Sequence, residues 1–145
     1  MQYAGFWRRF GAFVVDLIVV NVAMLAVGQV LPIYDEIDFS HGDLSVFFNF
    51  QYNTLGVPIV ILAAWLYCAL MESSSRQATL GKMALKLLVT DLEGERIGFG
   101  RASGRYFAKF LSLFTALIGF FMAGFTQRKQ ALHDIVAKTL VISRG

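Results

Sequence analysis

Asp16 is the residue in this chain whose type and position most demand an explanation. It lies inside an apolar run over residues 10–31, behind Arg8 and Arg9 and ahead of Asn21. A carboxylate at the centre of a bilayer costs about 2.5–3.5 kcal/mol on insertion scales, so such a group is expected to face inward and meet a partner. At about 10 Å along a helix from Arg9, Asp16 would sit nearer one surface and cost less. Arg9 shares its helical face at i, i+7. Helical side chains lean toward the amino terminus, however, so Arg9 would reach against its natural direction, and a cation from another element is the better partner. Arg101, Arg105 and Lys109 recur at i, i+4, i+8 and form a basic stripe that could supply one.

Other chemistries find less support. His133 and Asp134 resemble half of an acid–base pair, but neighbours on a helix point apart. No nucleophile elbow, phosphate loop or metal motif accompanies them. The single cysteine, Cys68, stands in an apolar run and shares no ligand spacing with His41 or His133. The chain is therefore not expected to be an enzyme, and no metal or cofactor is expected.

The elements that must position these groups are mostly apolar. Of 145 residues, 57% are hydrophobic and 16% charged, against about 45–50% and about 25% in typical soluble domains. The excess falls in three blocks, which predicts an all-α membrane protein of one domain. Residues 10–31 are long enough to cross the hydrocarbon core and end before Pro32; Asp16 and Asn21 interrupt them and argue against a cleaved signal peptide. Residues 32–54 form an acidic loop with aromatics (Phe47, Phe48, Phe50, Tyr52) suited to a lipid–water boundary. Residues 55–71 form a second span, capped by Asn53 or Thr54, with Pro58 in the first turn. Residues 72–105 are polar and hold a small β-hairpin with its turn at Glu93-Gly94. Residues 106–125 are apolar but interrupted by Lys109; they are re-entrant, interfacial or a third span. The tail, residues 126–145, reads as a short helix around 130–137 followed by a strand. No internal repeat stands out.

The net charge of +3 does not point to nucleic acid. The distribution of charge says more. Arg8 and Arg9 precede the first span, the next loop has no Lys or Arg, and the loop after the second span has six. The positive-inside rule then puts the amino terminus in the cytoplasm of a multi-pass protein of the cell membrane. Three full spans would put the basic tail outside, a conflict that a re-entrant third segment removes. Gly104, Ala108, Ser112, Ala116, Gly119 and Ala123 trace a small-residue face along that segment, suited to close docking on the first span.

Three stretches in order, "AGFWRRFGAFVVDLIV", "TLGKMALKLLVTDLEGERIGFGRASGRYF" and "RKQALHDIVAKTLVI", resemble the RDD family of small membrane proteins, named for one arginine and two aspartates. By position these match Arg9, Asp16 and Asp134, and the stretch from Thr79 to Lys82 also fits. The resemblance implies a polar cluster of Arg9, Asp16 and Asp134, supported by Thr79 and Lys82 of that stretch, and a suggested role in transport; Arg105 and Lys109 of the basic stripe are the further supporting residues.

Two functions follow as expectations. One is a transporter of a small ion or solute, in which Asp16 titrates or binds a cation while Asp134 and Arg9 gate it. Two or three short helices cannot enclose a pore, so this reading requires a homo-oligomer. The other is a non-transporting scaffold in the lipid bilayer, in which the cluster fixes the fold and another membrane protein is bound.

Overall fold

The computed structural model describes residues 2–34, 52–114, 122 and 125–144. It is mostly helical, with one small sheet. In chain order the elements are β1 (Gln2–Tyr3), α1 (Phe6–Gly28), α2 (Gly56–Ser73), α3 (Leu80–Ala84), β2 (Leu87–Asp91), α4 (Phe99–Phe114), α5 (Leu132–Val136) and β3 (Thr139–Ser143). They form two compact units, Leu17–Ala64 and the remainder, Met1–Asp16 with Trp65–Gly145.

The smaller unit is held by polar contacts inside an apolar setting. Asn53 caps α2, its Oδ1 accepting from the N–H of Leu55 at 3.1 Å and of Gly56 at 2.9 Å. Its Nδ2 donates to the Pro32 carbonyl, so one side chain starts the helix and pins the chain that follows α1. Tyr34 and Tyr52 stack at 5.0 Å, and the Tyr52 hydroxyl donates to Asn21 Oδ1 at 2.8 Å. This contact, with the bond from Asn21 Nδ2 to the Leu17 carbonyl, accommodates the asparagine in its apolar run. The loop aromatics Phe47, Phe48 and Phe50 lie outside the described residues.

The larger unit carries the sheet, which is antiparallel throughout and ordered β1-β3-β2. This corrects the expected hairpin. A turn does form, with the Asp91 N–H donating to the Glu95 carbonyl at 2.9 Å and Gly94 at φ 89°. Beyond it the chain leaves for α4, and β2 takes the distant tail strand as its partner. The core beneath the sheet is Ala4, Ala12, Ala69, Leu87, Val89, Ile97, Ala102 and Val141, with Trp65 and Leu85 against it. Trp65 Nε1 donates to Ser103 Oγ at 3.0 Å, so the indole fills space without leaving its N–H unmet. Helix α4 begins well before the apolar segment does. It turns Ala102, Arg105 and Ala108 inward and Phe99, Phe107 and Phe110 outward. The small-residue face is not the packed one at its start: Gly104 is exposed, and a Cβ there would meet nothing within 4 Å. Ala116, Gly119 and Ala123, and the side chain of Ser112, lie outside the described residues.

An internal repeat is present after all. Residues 74–91 recur as 126–143, offset by 52 positions: a turn, a five-residue helix, a two-residue break and a five-residue strand. The four non-glycine residues with positive φ among those described fall at equivalent places, Gln77 (51°) with Lys129 (48°) and Lys86 (55°) with Lys138 (52°). The N-caps match, Thr79 at φ −71°, ψ 167° and Ala131 at φ −80°, ψ 166°. The hydrogen bonds match as well. Gln77 N–H donates to Ser74 O and Lys129 N–H to Thr126 O, while Lys86 N–H donates to Met83 O and Lys138 N–H to Ile135 O. The two copies share Arg76/Arg128, Leu80/Leu132, Lys86/Lys138, Leu88/Leu140 and Val89/Val141. In the sheet Val89 faces Val141, and Leu87 and Asp91 face Ser143 and Thr139, so the strands pair about a local two-fold through the valines.

Candidate functional site

Asp16 is met by hydrogen-bond donors, not by a cation. Its Oδ1 accepts from the Tyr67 hydroxyl and from the Gly81 N–H, each at 2.8 Å, and its Oδ2 accepts from the Thr79 hydroxyl at 2.5 Å. The Tyr67 hydroxyl in turn accepts from the Leu80 N–H at 2.9 Å. The carboxylate thus caps α3 from another element. Thr79, the N-cap residue, does not cap its own helix; it turns its hydroxyl to Asp16. Free N–H groups and partial positive charge at a helix start suit an anion in that place. Gly81 lets α3 come this close: a Cβ there would overlap the Ala12 carbonyl oxygen and stand 2.9 Å from Asp16 Cγ. Among the described residues no Lys or Arg pairs with Asp16, which corrects the expectation of a cation partner.

The cations belong to a second assembly. Lys82 pairs with Glu72 Oε1, Glu72 Oε2 accepts from Arg105 Nη1 at 2.7 Å, Arg105 Nε donates to Asp134 Oδ1 at 2.8 Å, and Asp134 Oδ2 pairs with Arg9. The result is a chain of five alternating charges, Lys82–Glu72–Arg105–Asp134–Arg9, drawn from α3, α2, α4, α5 and α1. Its middle is out of water, with Glu72 and Arg105 each 2% exposed and Asp134 fully buried. Arg9 spends its other donors on carbonyls, Nε on Ala4 at 3.0 Å and Nη2 on Lys129 at 2.5 Å. Asp134 Oδ2 also accepts the Ala131 N–H, closing the start of α5.

Burial and charge pull these groups in different directions. Burial alone would raise the Asp134 pKa, but the guanidinium groups of Arg105 and Arg9 outweigh it and hold the carboxyl well below its usual range. Burial and then the charge of Arg105 lower Lys82 to about 8, although Glu72 opposes them. Burial lowers His133 to about 3 against the attraction of Asp134, so the imidazole is neutral at ordinary pH. Its Nε2 lies 3.4 Å from Asp134 Oδ1, so the two neighbours do not point apart; Asp134 folds back over the start of its helix. Both oxygens of that carboxylate are nevertheless engaged by arginines.

Of the residues singled out in the sequence, Arg9 and Asp134 meet directly, and Arg105 and Lys82 join them. Asp16 and Thr79 form their own contact one residue away along α3. Lys109 places its ammonium 5.4 Å over the Tyr106 ring, within reach of the charges of Glu72 and Lys82. Glu72, the acid that joins Lys82 to Arg105, escaped the sequence reading. It stands in the last turn of an apolar helix just ahead of three serines and reads there as the start of a loop. Its position at the end of an apolar run, where Asp16 stands near the start of another, was the available signal. Among the described residues no three metal-ligating side chains converge.

Comparison with known proteins places the chain among relatives. A model of the RDD family matches residues 3–138. The uncharacterized protein YxaI of Bacillus subtilis (strain 168) is 37% identical over 150 residues, 96% of this chain and 96% of its own length. The uncharacterized membrane protein YteJ of the same organism is 33% identical over 147 residues, 97% of this chain and 80% of its own length. No solved structure matches.

Proposed function

This chain belongs to the RDD family, and from that premise we propose that it is a membrane-spanning scaffold whose buried charges clasp its own helices together and move no solute. Helices α1 and α2 are long and apolar enough to cross a bilayer. The cations in the first turn of α1 and after α2, and their absence between, favour a cytoplasmic amino terminus. Pairing of β1 with β3 supports a carboxyl end on the same side as the amino terminus.

One observation carries the reading. Every oxygen of Asp16, Glu72 and Asp134 already accepts from a donor within the chain. A transporter built on Arg9, Asp16 and Asp134 would have to displace these donors, or add to them, to hold a cation. Here the acids bind the ends of α1 and α2 to α3, α4 and α5. Such compensation makes the loss of one partner costly, which suits a device that fixes geometry. A fixed layer beside a membrane suits the holding of another membrane protein.

The test is reconstitution of the full chain into liposomes, with proton, sodium and potassium flux measured for the wild type, Asp16→Asn and Asp134→Asn. The scaffold reading expects flux equal to protein-free liposomes in every case and a lowered melting temperature for both variants. Flux in the wild type that disappears in Asp16→Asn would refute it.

A further inference from the structure

The sheet has two electrically unlike ends. At one, Asp91, Glu93 and Glu95 gather around the turn, with Arg101 3.6 Å from Asp91. At the other, four exposed cations converge: Arg8 donates to Ser143 Oγ at 2.5 Å, Ser143 pairs with Leu87, the Arg144 N–H donates to the Lys86 carbonyl at 2.8 Å, and the Lys129 carbonyl is held by Arg9. A groove at this end is lined by Arg8, Lys129, Ser143 and Trp7 among others, and no acid is among its lining residues. The groove adjoins the first turn of α1, whose Trp7, Phe10 and Phe13 are 78%, 49% and 58% exposed. Aromatic rings at the end of a spanning helix sit at headgroup depth. Exposed cations beside them, at that depth, meet lipid phosphates.

We propose that this end of the sheet, Arg8, Lys86, Lys129 and Arg144 beside Trp7, is a docking surface for anionic phospholipid headgroups in the leaflet that receives the start of α1. It rests on the membrane reading above. The basic end lies against that leaflet and the acidic end faces away from it. Such a surface orients the sheet layer and makes the protein prefer membranes rich in anionic lipid.

The full chain is placed in nanodiscs of equal phosphatidylglycerol and phosphatidylcholine, and the lipid that stays bound on release is counted by native mass spectrometry. Phosphatidylglycerol is expected to be retained preferentially. Each cation removed in Arg8→Gln and Lys129→Gln lowers that preference about fivefold at low salt, and about 0.5 M salt abolishes it in the wild type. The salt arm needs no variant and stands if either variant fails to fold. A retention ratio unmoved by either treatment overturns the proposal, and so does inorganic phosphate at millimolar concentration displacing the bound lipid, which would mark a site for free phosphate. Lipid retention and solute flux are separate readouts, so failure here leaves the scaffold reading intact, and flux in liposomes would refute that reading without moving the lipid ratio.

Discussion

The two helix–strand repeats share a backbone and oppose each other in chemistry. Residues 79–91 and 131–143 start at matched N-caps, break at matched left-handed lysines and end in strands paired about Val89 and Val141. At the second and third helical positions the first copy has Gly81 and Lys82, the second His133 and Asp134. The first copy borrows a carboxylate from α1 and offers a cation to Glu72. The second supplies its own carboxylate to Arg9 and Arg105. One Glu72–Arg105 pair joins the two, so equivalent positions of opposite sign lie along one chain of charge. A backbone frame of this kind sets where side chains point; what they do is decided by the element that faces them.

The comparison breaks most severely at its joint. Arg105→Met leaves Glu72 and Asp134 without their shared cation in a buried place, and a loss of about 3–5 kcal/mol is expected in thermal or denaturant unfolding of the purified protein. Arg105→Lys should recover little of it, because an ammonium cannot hold two carboxylates as the guanidinium fork does. A loss below about 1 kcal/mol in Arg105→Met would mean that the two repeats are not joined through this residue.

Next comes Gly81→Ala, which separates the copies at one position. The added methyl meets the α1 backbone, and overpacking there should cost about 1–3 kcal/mol. The equivalent position in the second copy already accommodates a histidine.

Titration distinguishes the copies by window, with stability rising with pH in both. His133 has a folded pKa of about 3 against an ordinary 6.5. The unfolded chain takes up that proton first, and stability should fall as pH drops from 6.5 toward 3. Lys82, at about 8 against 10.5, acts at the other end: between these values only the unfolded chain keeps the proton, and stability should rise with pH. His133→Gln should flatten the acid window, and Lys82→Met the alkaline one, in melting temperatures followed across pH.

The smallest effect tests the shared frame itself. Lys86→Gly and Lys138→Gly each relieve a left-handed conformation worth about 1–2 kcal/mol, mostly offset by the conformational freedom that glycine loses on folding, about 0.5–1 kcal/mol. Each should gain about 0.5 kcal/mol, and the two gains should be equal; a loss at either would place a specific contact on that lysine.

Much of this was legible before the structure. The apolar blocks marked α1 and α2, since length and composition suffice for a helix of that kind. Arg9, Asp134, Arg105 and Lys82 were drawn from charge placement and family motifs. The partner of Asp16 was misread because a carboxylate among apolar residues suggests a cation. Hydroxyls and helix N–H groups satisfy it equally well, and they come from a helix of five residues that carries no periodic signal. The strand pairing was misread for a related reason: Glu93-Gly94 announces a turn but not which strand returns. The repeat was hidden because its copies share few side chains, and their strongest common feature is positive φ at Gln77, Lys86, Lys129 and Lys138, residue types that do not advertise it.

The most direct test of the account is a double-mutant cycle on Arg105 and Asp134, using Arg105→Met, Asp134→Asn and the double variant, with unfolding free energy measured in one detergent. The clasp predicts that the double variant loses less than the sum of the singles by about 1–3 kcal/mol. Additive losses would contradict it.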